Sequence, residues 1–218
     1  MKYASILLDC DGVILDSNRL KTKAFVDTLS DYPKDLVRDF VEYHQQYGGH
    51  SRFKKFEYFL SEMMGDFSEQ TYQKLLTSFA DNVVAGLNKA SYTPGFLSFI
   101  NLYREQAEIY VVSGGFQQEL VDTFKLKNIH HYFKDILGCP TPKHEHVNNL
   151  MRVKEIPSPV LFIGDSQVDY EVTKGHPIDF IFLSQFSEFK GWEKYCDDHA
   201  LVNFVNFQEL LDADFIEN

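Results

Sequence analysis

Three short apolar runs, each ending abruptly in small or acidic residues, constrain the fold of this chain more than any other feature. They are YASILL at residues 3–8, IYVV at 109–112 and VLFI at 160–163. None alternates apolar with polar residues, which is typical of strands buried on both faces of a parallel sheet. The segments that follow them, DCDG, SGG and GDS, are therefore expected at the carboxyl edge of one sheet, where α/β folds bind their ligands.

The rest of the chain supplies further strands and the helices between them. Fainter strand patterns occupy residues 135–137, 178–183 and 200–202, and helical patterns occupy 96–106, 117–125 and 144–153. Repetition of strand, loop and helix predicts an α/β fold with a doubly wound, mostly parallel sheet.

Between residues 17 and 90 the pattern changes. The segment has few glycines and shows helical apolar spacing through FVDTL, LVRDFVEY, FKKFEYFLSEMM and YQKLLTSFADNVV. We predict an inserted all-helical cap at 17–90 and an α/β core formed by 1–16 and 91–218. Pro94 and Gly95 mark the return to the core, and Asp16 and Ser17 are interpreted as a hinge and a helix cap.

Composition narrows the function classes. The 218 residues are 44% hydrophobic, which is typical of a folded chain, and carry a net charge of -11, which disfavours nucleic acid as a partner. Three widely spaced cysteines suggest neither a disulfide framework nor a metal site. With no leader-like start and no apolar run long enough to span a bilayer, we expect a soluble cytoplasmic protein without membrane contact, as a monomer or small homo-oligomer.

Four motifs carry the candidate chemistry, and each follows a predicted strand. They are DCDGVILDS with Asp9 and Asp11, VVSGG with Ser113, GCPTPKHEHV with Lys143, and GDSQVD with Asp165 and Asp169. Acidic loops are common singly, because many only cap helices. The four together, in this order, form a much more specific pattern.

These motifs resemble those of the haloacid dehalogenase-like hydrolase superfamily, in the helical-cap branch that includes phosphoglycolate phosphatase and beta-phosphoglucomutase. The resemblance covers nearly the whole chain. It implies a Rossmann-like core with a helical cap and a Mg2+-dependent phosphatase that acts on a small phosphorylated metabolite, such as a sugar phosphate. Family members that cleave carbon–halogen or carbon–phosphorus bonds lack an aspartate two residues after the nucleophile, so Asp11 favours an oxygen ester.

Electrostatics explains why such a site needs a cation. A carboxylate and a phosphate about 4 Å apart repel by roughly 4 kcal/mol per pair of unit charges at an effective dielectric constant of about 20. Mg2+ prefers oxygen ligands, which Asp9, Asp165 and Asp169 can supply, and the resemblance adds the main-chain carbonyl of Asp11. Asp169 is alternatively interpreted as holding the loop or a metal-bound water.

The remaining roles follow from the charges and donors of the motifs. Lys143 places a positive charge near the phosphoryl oxygens, and Ser113 with the Gly114 and Gly115 amides is expected to hold them. Asp9 is the predicted nucleophile that forms an aspartyl phosphate. Asp11 is the predicted general acid and base, with its pKa raised by neighbouring carboxylates.

In the predicted cap, GGHSR at residues 48–52 is a polar loop among helices. Arg52, with Ser51, is a candidate substrate-specificity residue that holds a second anionic group or sugar hydroxyls. A solvated helix start explains the loop equally well. Lys54 and Lys55 are interpreted as surface charges, and the histidines, His44 and His50 among them, as solvent-facing or capping residues.

Two other functions stay open at this level. A sugar phosphomutase would return the phosphoryl group from Asp9 to a sugar hydroxyl. A non-catalytic binding or regulatory protein would keep the fold without turnover, but such a protein is expected to lose the nucleophile or a metal carboxylate, and this sequence keeps both.

Overall fold

The computed structural model describes residues 2–216, in which six strands form one sheet with all strands parallel. The strand order is β3-β2-β1-β4-β5-β6. The strands are β1 (Ser5–Leu8), β2 (Glu108–Phe116), β3 (Asp135–Cys139), β4 (Val160–Gly164), β5 (Ile178–Leu183) and β6 (Val202–Phe204). The order reverses between β2, β1 and β4, so the ends of these strands form the edge where such folds place their ligands.

The sheet is covered on both faces, as the predicted doubly wound fold requires. Ile6 and Leu8 of β1 belong to one apolar cluster, and Leu7 between them belongs to another. Helices α5 (Phe96–Tyr103), α6 (Gln117–Leu126) and α10 (Phe207–Asp212) pack in the first cluster. Helices α7 (Lys143–Arg152) and α9 (Trp192–His199) pack in the second. The short helix α8 (Gln167–Glu171) follows β4.

The segment between β1 and α5 is helical. It contains α1 (Asn18–Thr28), α2 (Lys34–Gln46), α3 (Arg52–Tyr58), a π-helical turn (Phe59–Met63) and α4 (Glu69–Lys89). These helices enclose their own apolar cluster, in which Phe25, Phe40 and Phe56 pack edge to face or stacked. This separate apolar cluster supports the predicted division of the chain into an α/β core, at 1–16 and 91–218, and a helical cap, at 17–90. The division itself stays a prediction.

Several predicted boundaries differ from the structure. Strand β2 continues through Ser113, Gly114 and Gly115, which the sequence placed in a loop, because Phe116 still pairs with Cys139 across a register irregularity. Strand β6 begins two residues later than predicted, since Ala200 has a left-handed backbone that ends α9. Cys10 lies in the core, and Cys139 and Cys196 are also buried and free.

Across residues 2–216, no helix combines the length and apolar content that crossing a bilayer requires.

Gly95 is the position where the return from the helical segment tolerates no side chain. Its φ is +83°, and a Cβ there would lie 2.2 Å from the backbone nitrogen of Gln208 in α10. Gly175 has a similar φ of +82° with open space around it, so it isolates the effect of backbone conformation alone.

We therefore expect Gly95→Ala to lower the free energy of unfolding more than Gly175→Ala does. Both variants lose about 1 kcal/mol from the left-handed backbone, and Gly95→Ala should lose at least about 1 kcal/mol more from the clash. Urea denaturation of both variants measures the difference, and equal losses would contradict the close packing of residue 95 on α10.

Candidate active site

The first acidic residue of the site stands at the end of the central strand. The Asp9 N–H donates to the Ile163 carbonyl at 3.0 Å, so its backbone continues the pairing of β1 with β4. The chain then turns back, and the Gly12 N–H donates to the Leu15 carbonyl at 2.8 Å. Gly12 has a φ of +78°, and a Cβ there would lie 2.1 Å from Asp165 Oδ2. Only glycine lets this turn approach the second acidic loop so closely.

That second loop follows β4 and is closed by a capping box. Ser166 Oγ accepts from the Asp169 N–H, and Asp169 Oδ2 accepts from the Ser166 N–H at 3.1 Å. Asp169 Oδ2 also accepts from Ser166 Oγ at 2.7 Å and from the Asp165 N–H at 3.3 Å. Gly164 must lack a side chain, because a Cβ there would lie 2.4 Å from Asp169 Cβ. These hydrogen bonds attach Asp169 to the loop that carries Asp165, and its role as a metal ligand or as a residue that holds the loop stays a prediction.

Lys143, the first residue of α7, joins the two acidic loops. Its Nζ lies 2.8 Å from Asp9 Oδ1 and 2.5 Å from Asp169 Oδ1, and all three side chains are almost fully buried. Burial disfavours the ammonium, but the charges of Asp169 and Asp9 outweigh it and hold the pKa of Lys143 above its ordinary value. Lys143 is therefore a fixed positive charge between the two carboxylates.

The acidic cluster fits a divalent cation. Asp9, Asp165 and Asp169 each offer an oxygen within 4.8 Å of the others. Asp9 Oδ1 is buried and accepts no hydrogen bond, although Lys143 Nζ is close. Burial, with the repulsion of neighbouring carboxylates, raises the pKa of Asp9 to about 7 and that of Asp165 well above its usual range. Three carboxylates face one ammonium, so a dication would bring the cluster to neutrality.

Asp165 is oriented by two groups that the sequence reasoning missed. Asn18, the first residue of α1, donates through Nδ2 to Asp165 Oδ2 at 2.6 Å and to the Phe186 carbonyl at 2.9 Å. Ser187 Oγ donates to the Asp165 carbonyl at 2.5 Å. Asn18 was detectable, because it stands at the start of a predicted helix beside the first motif. Ser187 carries no comparable signal.

The Asp11 side chain is held by residues at the start of α1 and not by the acidic cluster. Ser17 Oγ donates to Asp11 Oδ1 at 2.6 Å, and Lys21 Nζ forms an ion pair with Asp11 Oδ2. Burial opposes the charged form of Asp11, but the Lys21 charge and these hydrogen bonds prevail and lower its pKa below the ordinary value. The prediction of a raised pKa is therefore wrong here, because an ammonium and not a carboxylate is the nearest charge. Ser17 lies at the N-cap position of α1, as predicted, but its hydroxyl donates to Asp11 and caps no helix N–H.

The predicted phosphate-binding residues lie at the end of β2. Ser113 is fully buried, and its Oγ accepts from the Gly115 N–H at 3.0 Å. Gly114 faces the helical segment so closely that a Cβ there would lie 2.5 Å from the Gly49 carbonyl oxygen. Gly114 and Gly115 line a cavity that also exposes Asp9, Asp11 and Asp165. Small residues here let the helical segment close over the acidic cluster.

The cavity is small, and charged side chains of the helical segment line it. Its volume is about 40 Å³, enough for a few water molecules. Arg52 lines it but is bidentate with Glu119 of α6, with Nη1 donating to Oε1 at 2.9 Å, and its guanidinium lies 4.7 Å from the centre of the Phe79 ring. Ser51 Oγ caps α3 by accepting from the Lys54 N–H. Both side chains thus have partners within the protein, and these contacts fix the start of α3.

The prediction of surface positions for other cap residues is partly wrong. Lys54 is exposed, but Lys55 is only 2% exposed. His44 is buried and His50 is half-buried, and both line the cavity. Helical spacing explains the error. Lys55 lies three positions after Arg52 and four positions before Phe59, so it falls on the buried helix face that also carries Phe56.

Comparison with known proteins places this geometry in a family. The chain belongs to the haloacid dehalogenase-like hydrolase family, whose sequence model matches residues 6–183. A search of curated protein sequences found no significant match. The predicted family resemblance and the predicted fold class are both confirmed.

Solved structures share the fold at low sequence identity. A predicted phosphatase from Clostridium acetobutylicum has a TM-score of 0.76 at 18% identity, with both chains covered in full (100%). A predicted phosphoglycolate phosphatase from Haemophilus somnus has a TM-score of 0.77 at 16% identity and 98% coverage of each chain. A mutant of CbbY from Rhodobacter sphaeroides in complex with xylulose-(1,5)bisphosphate has a TM-score of 0.72 at 16% identity, covering 95% of this chain and 96% of its own.

We expect Mg2+ to stabilise the protein through the acidic cluster. At about 100 times its dissociation constant a single bound ion adds about 2.7 kcal/mol, which corresponds to a rise in Tm of roughly 5–10 °C for a chain of this size. Asp165→Asn should remove most of this rise, because it deletes one carboxylate charge from the cluster. Thermal melts with Mg2+ and with chelator measure the effect.

Asp197→Asn is the matched control, since Asp197 is exposed on α9. It should keep the full Mg2+ response. If Asp165→Asn kept it as well, the ion would not bind at the cluster.

Proposed function

We propose that this protein is a Mg2+-dependent phosphatase of a small phosphomonoester and that it forms an aspartyl phosphate on Asp9. One observation carries the proposal: the buried ammonium of Lys143 contacts both Asp9 and Asp169, and Asp165 adds a third carboxylate to the same cluster. Membership of a hydrolase family supports the reaction type. The phosphatase-like neighbours share only the fold.

In this proposal Asp9, Asp165 and the main-chain carbonyl of Asp11 hold Mg2+, and Asp169 acts mainly by orienting the loop. The bound Mg2+ supplies the positive charge that offsets the repulsion between the Asp9 carboxylate and the phosphate. Lys143 adds a second, permanent charge beside the same oxygens. Ser113 Oγ accepts from Gly115, so its own proton is left for a phosphate oxygen.

The first half of the reaction transfers the phosphoryl group to the protein. Asp9 attacks phosphorus in line, a new bond forms between its carboxylate oxygen and phosphorus, and the bond from phosphorus to the ester oxygen breaks. Asp11 gives its proton to the departing oxygen, which leaves as an alcohol. In the second half, Asp11 takes a proton from water as the water oxygen attacks phosphorus. Inorganic phosphate leaves and the Asp9 carboxylate is restored.

The Lys21 ion pair assigns Asp11 a preferred protonation state. Without substrate, Lys21 keeps Asp11 as a carboxylate, which is the form needed for the second half. A phosphate dianion that enters beside Asp11 repels its charge and competes for the Lys21 ammonium, and both effects raise the pKa of Asp11. Substrate binding thus favours the protonated form that the first half needs.

Substrate choice belongs to the residues that close the cavity. The structural neighbours include a predicted phosphoglycolate phosphatase and a protein in complex with xylulose-(1,5)bisphosphate, so small phosphorylated carboxylates and sugars are the first compounds to test. Arg52 and Ser51 remain candidates for specificity, although both have intramolecular partners. The cytoplasmic location and the monomeric or small homo-oligomeric state stay predictions.

Asp9→Asn should abolish phosphate release, because an amide is a poor nucleophile toward phosphorus. We expect kcat to fall by roughly 10⁴-fold or more, the scale seen when a covalent nucleophile is removed. Release of inorganic phosphate from a panel of small phosphate esters, with Mg2+ and with chelator, measures the loss. Phosphorus NMR of the same mixtures would detect an ester that migrates without release, which would favour a phosphomutase.

Asp16→Asn is the matched control, since it makes the same substitution at an exposed residue of the same motif. It should keep wild-type turnover. Equal turnover by Asp9→Asn and Asp16→Asn would refute the assignment of the nucleophile.

A further inference from the structure

Three cationic side chains of the helical segment line the cavity over the acidic cluster, and two of them are already paired. Lys21 forms an ion pair with Asp11, and Arg52 forms one with Glu119. In the described part of the chain, Lys55 has no carboxylate within ion-pair distance; its Nζ contacts only neutral acceptors. Lys55 is therefore the cavity cation whose charge is left uncompensated.

The contacts of Lys55 lead through neutral groups to the carboxylate of Glu188. Its Nζ donates to His44 Nδ1 at 2.6 Å and to the Gly48 carbonyl at 3.1 Å. Because an ammonium only donates, His44 must carry its proton on Nε2, which lies 3.0 Å from Thr22 Oγ1. Thr22 in turn donates to Glu188. Two neutral groups thus separate the ammonium from the Glu188 carboxylate.

Burial without a counter-charge makes this ammonium unstable. Lys55 is 2% exposed, and burial together with the Lys21 charge lowers its pKa to about 7. Its Nζ lies 5.7 Å from the Phe25 ring centre, which offers only a weak attraction. An anionic oxygen that enters the cavity would remove this penalty and would itself bind more tightly in a water-poor site.

His50 lines the same cavity and carries a buried polar atom without a partner. Its Nδ1 is buried and has no hydrogen-bond partner. Lys54 Nζ lies 3.2 Å from His50 Nε2 and can only donate, so a neutral His50 carries its proton on Nδ1. Burial lowers the pKa of His50 to about 3, which keeps the ring neutral. A buried N–H donor without an acceptor is rare in folded proteins.

We propose that Lys55 binds a second anionic group of the substrate, so that this site selects small phosphomonoesters bearing a carboxylate or a second phosphate on a short carbon skeleton. The small volume of the cavity favours a compact ligand. The inference rests on the proposed phosphatase function, because it assumes that the first phosphate lies at Asp9. It assigns the anion to Lys55 and not to Arg52, whose guanidinium is occupied by Glu119.

Binding to an inactive protein tests the inference without turnover. In the Asp9→Asn protein with Mg2+, calorimetry should give a Kd for phosphoglycolate about 10- to 100-fold lower than for 2-hydroxyethyl phosphate, which has a hydroxymethyl group in place of the carboxylate, as expected for a charged hydrogen bond. Propane-1,3-diol bisphosphate against 3-hydroxypropyl phosphate repeats the comparison for a second phosphate. The stronger of the two preferences identifies the anion that the site takes.

Lys55→Met, added to Asp9→Asn, should remove the preference for the ligand that carries the second anionic group. Methionine is apolar and similar in length, and a thermal melt checks that the variant folds. Lys74→Met is the matched control, because Lys74 is exposed on α4 and removes the same charge from the helical segment. That control should keep the preference.

A second measurement needs no substitution at Lys55. With 13C-labelled lysine, the pKa of Lys55 should rise clearly more when phosphoglycolate binds than when 2-hydroxyethyl phosphate binds. Equal Kd values for ligands with and without the second anionic group, or a preference that survives Lys55→Met, would overturn the inference. A charge preference in binding with no hydrolysis by the wild-type protein would instead support Lys55 and reject the phosphatase.

Discussion

The contact of one buried ammonium with two carboxylates organises the site, because the acidic residues would otherwise repel one another at the centre of the fold. Lys143 contacts Asp9 at the end of β1 and Asp169 at the start of α8, and so joins the loops after two neighbouring strands. Removing one partner of a buried ion pair is strongly destabilising, while a satisfied pair contributes little net stability. The arrangement therefore serves to hold charges in place more than to stabilise the chain.

The sequence predicted the sheet well because its strands are buried on both faces and leave an unambiguous apolar pattern. It predicted the acidic cluster for a related reason, since parallel strands bring their carboxyl ends to one edge. The end of β2 was misassigned because glycines that terminate most strands can also continue one beside a close neighbour, as Gly114 does against Gly49. No local pattern reports such a long-range contact.

The charged residues of the helical segment show a different limit. A lysine is usually exposed, so Lys55 was interpreted as a surface charge. Its helical position argued otherwise, because Arg52, Lys55, Phe56 and Phe59 follow the spacing of a buried face, and all four are buried. The partners that permit this burial, His44 and Glu119, lie on other helices and cannot be located from the sequence. Hydrophobic spacing was thus the more reliable guide to burial than residue type.

One face of α1 links the helical segment to the acidic cluster. Ser17 and Lys21 contact Asp11, and Asn18 contacts Asp165, so three side chains within one helical turn hold two residues of the site. Any movement that carries α1 away from the sheet must break these contacts. The positions of Asp11 and Asp165 therefore depend on the packing of α1 against the sheet, and Lys21 and Asn18 are the helix residues that hold them.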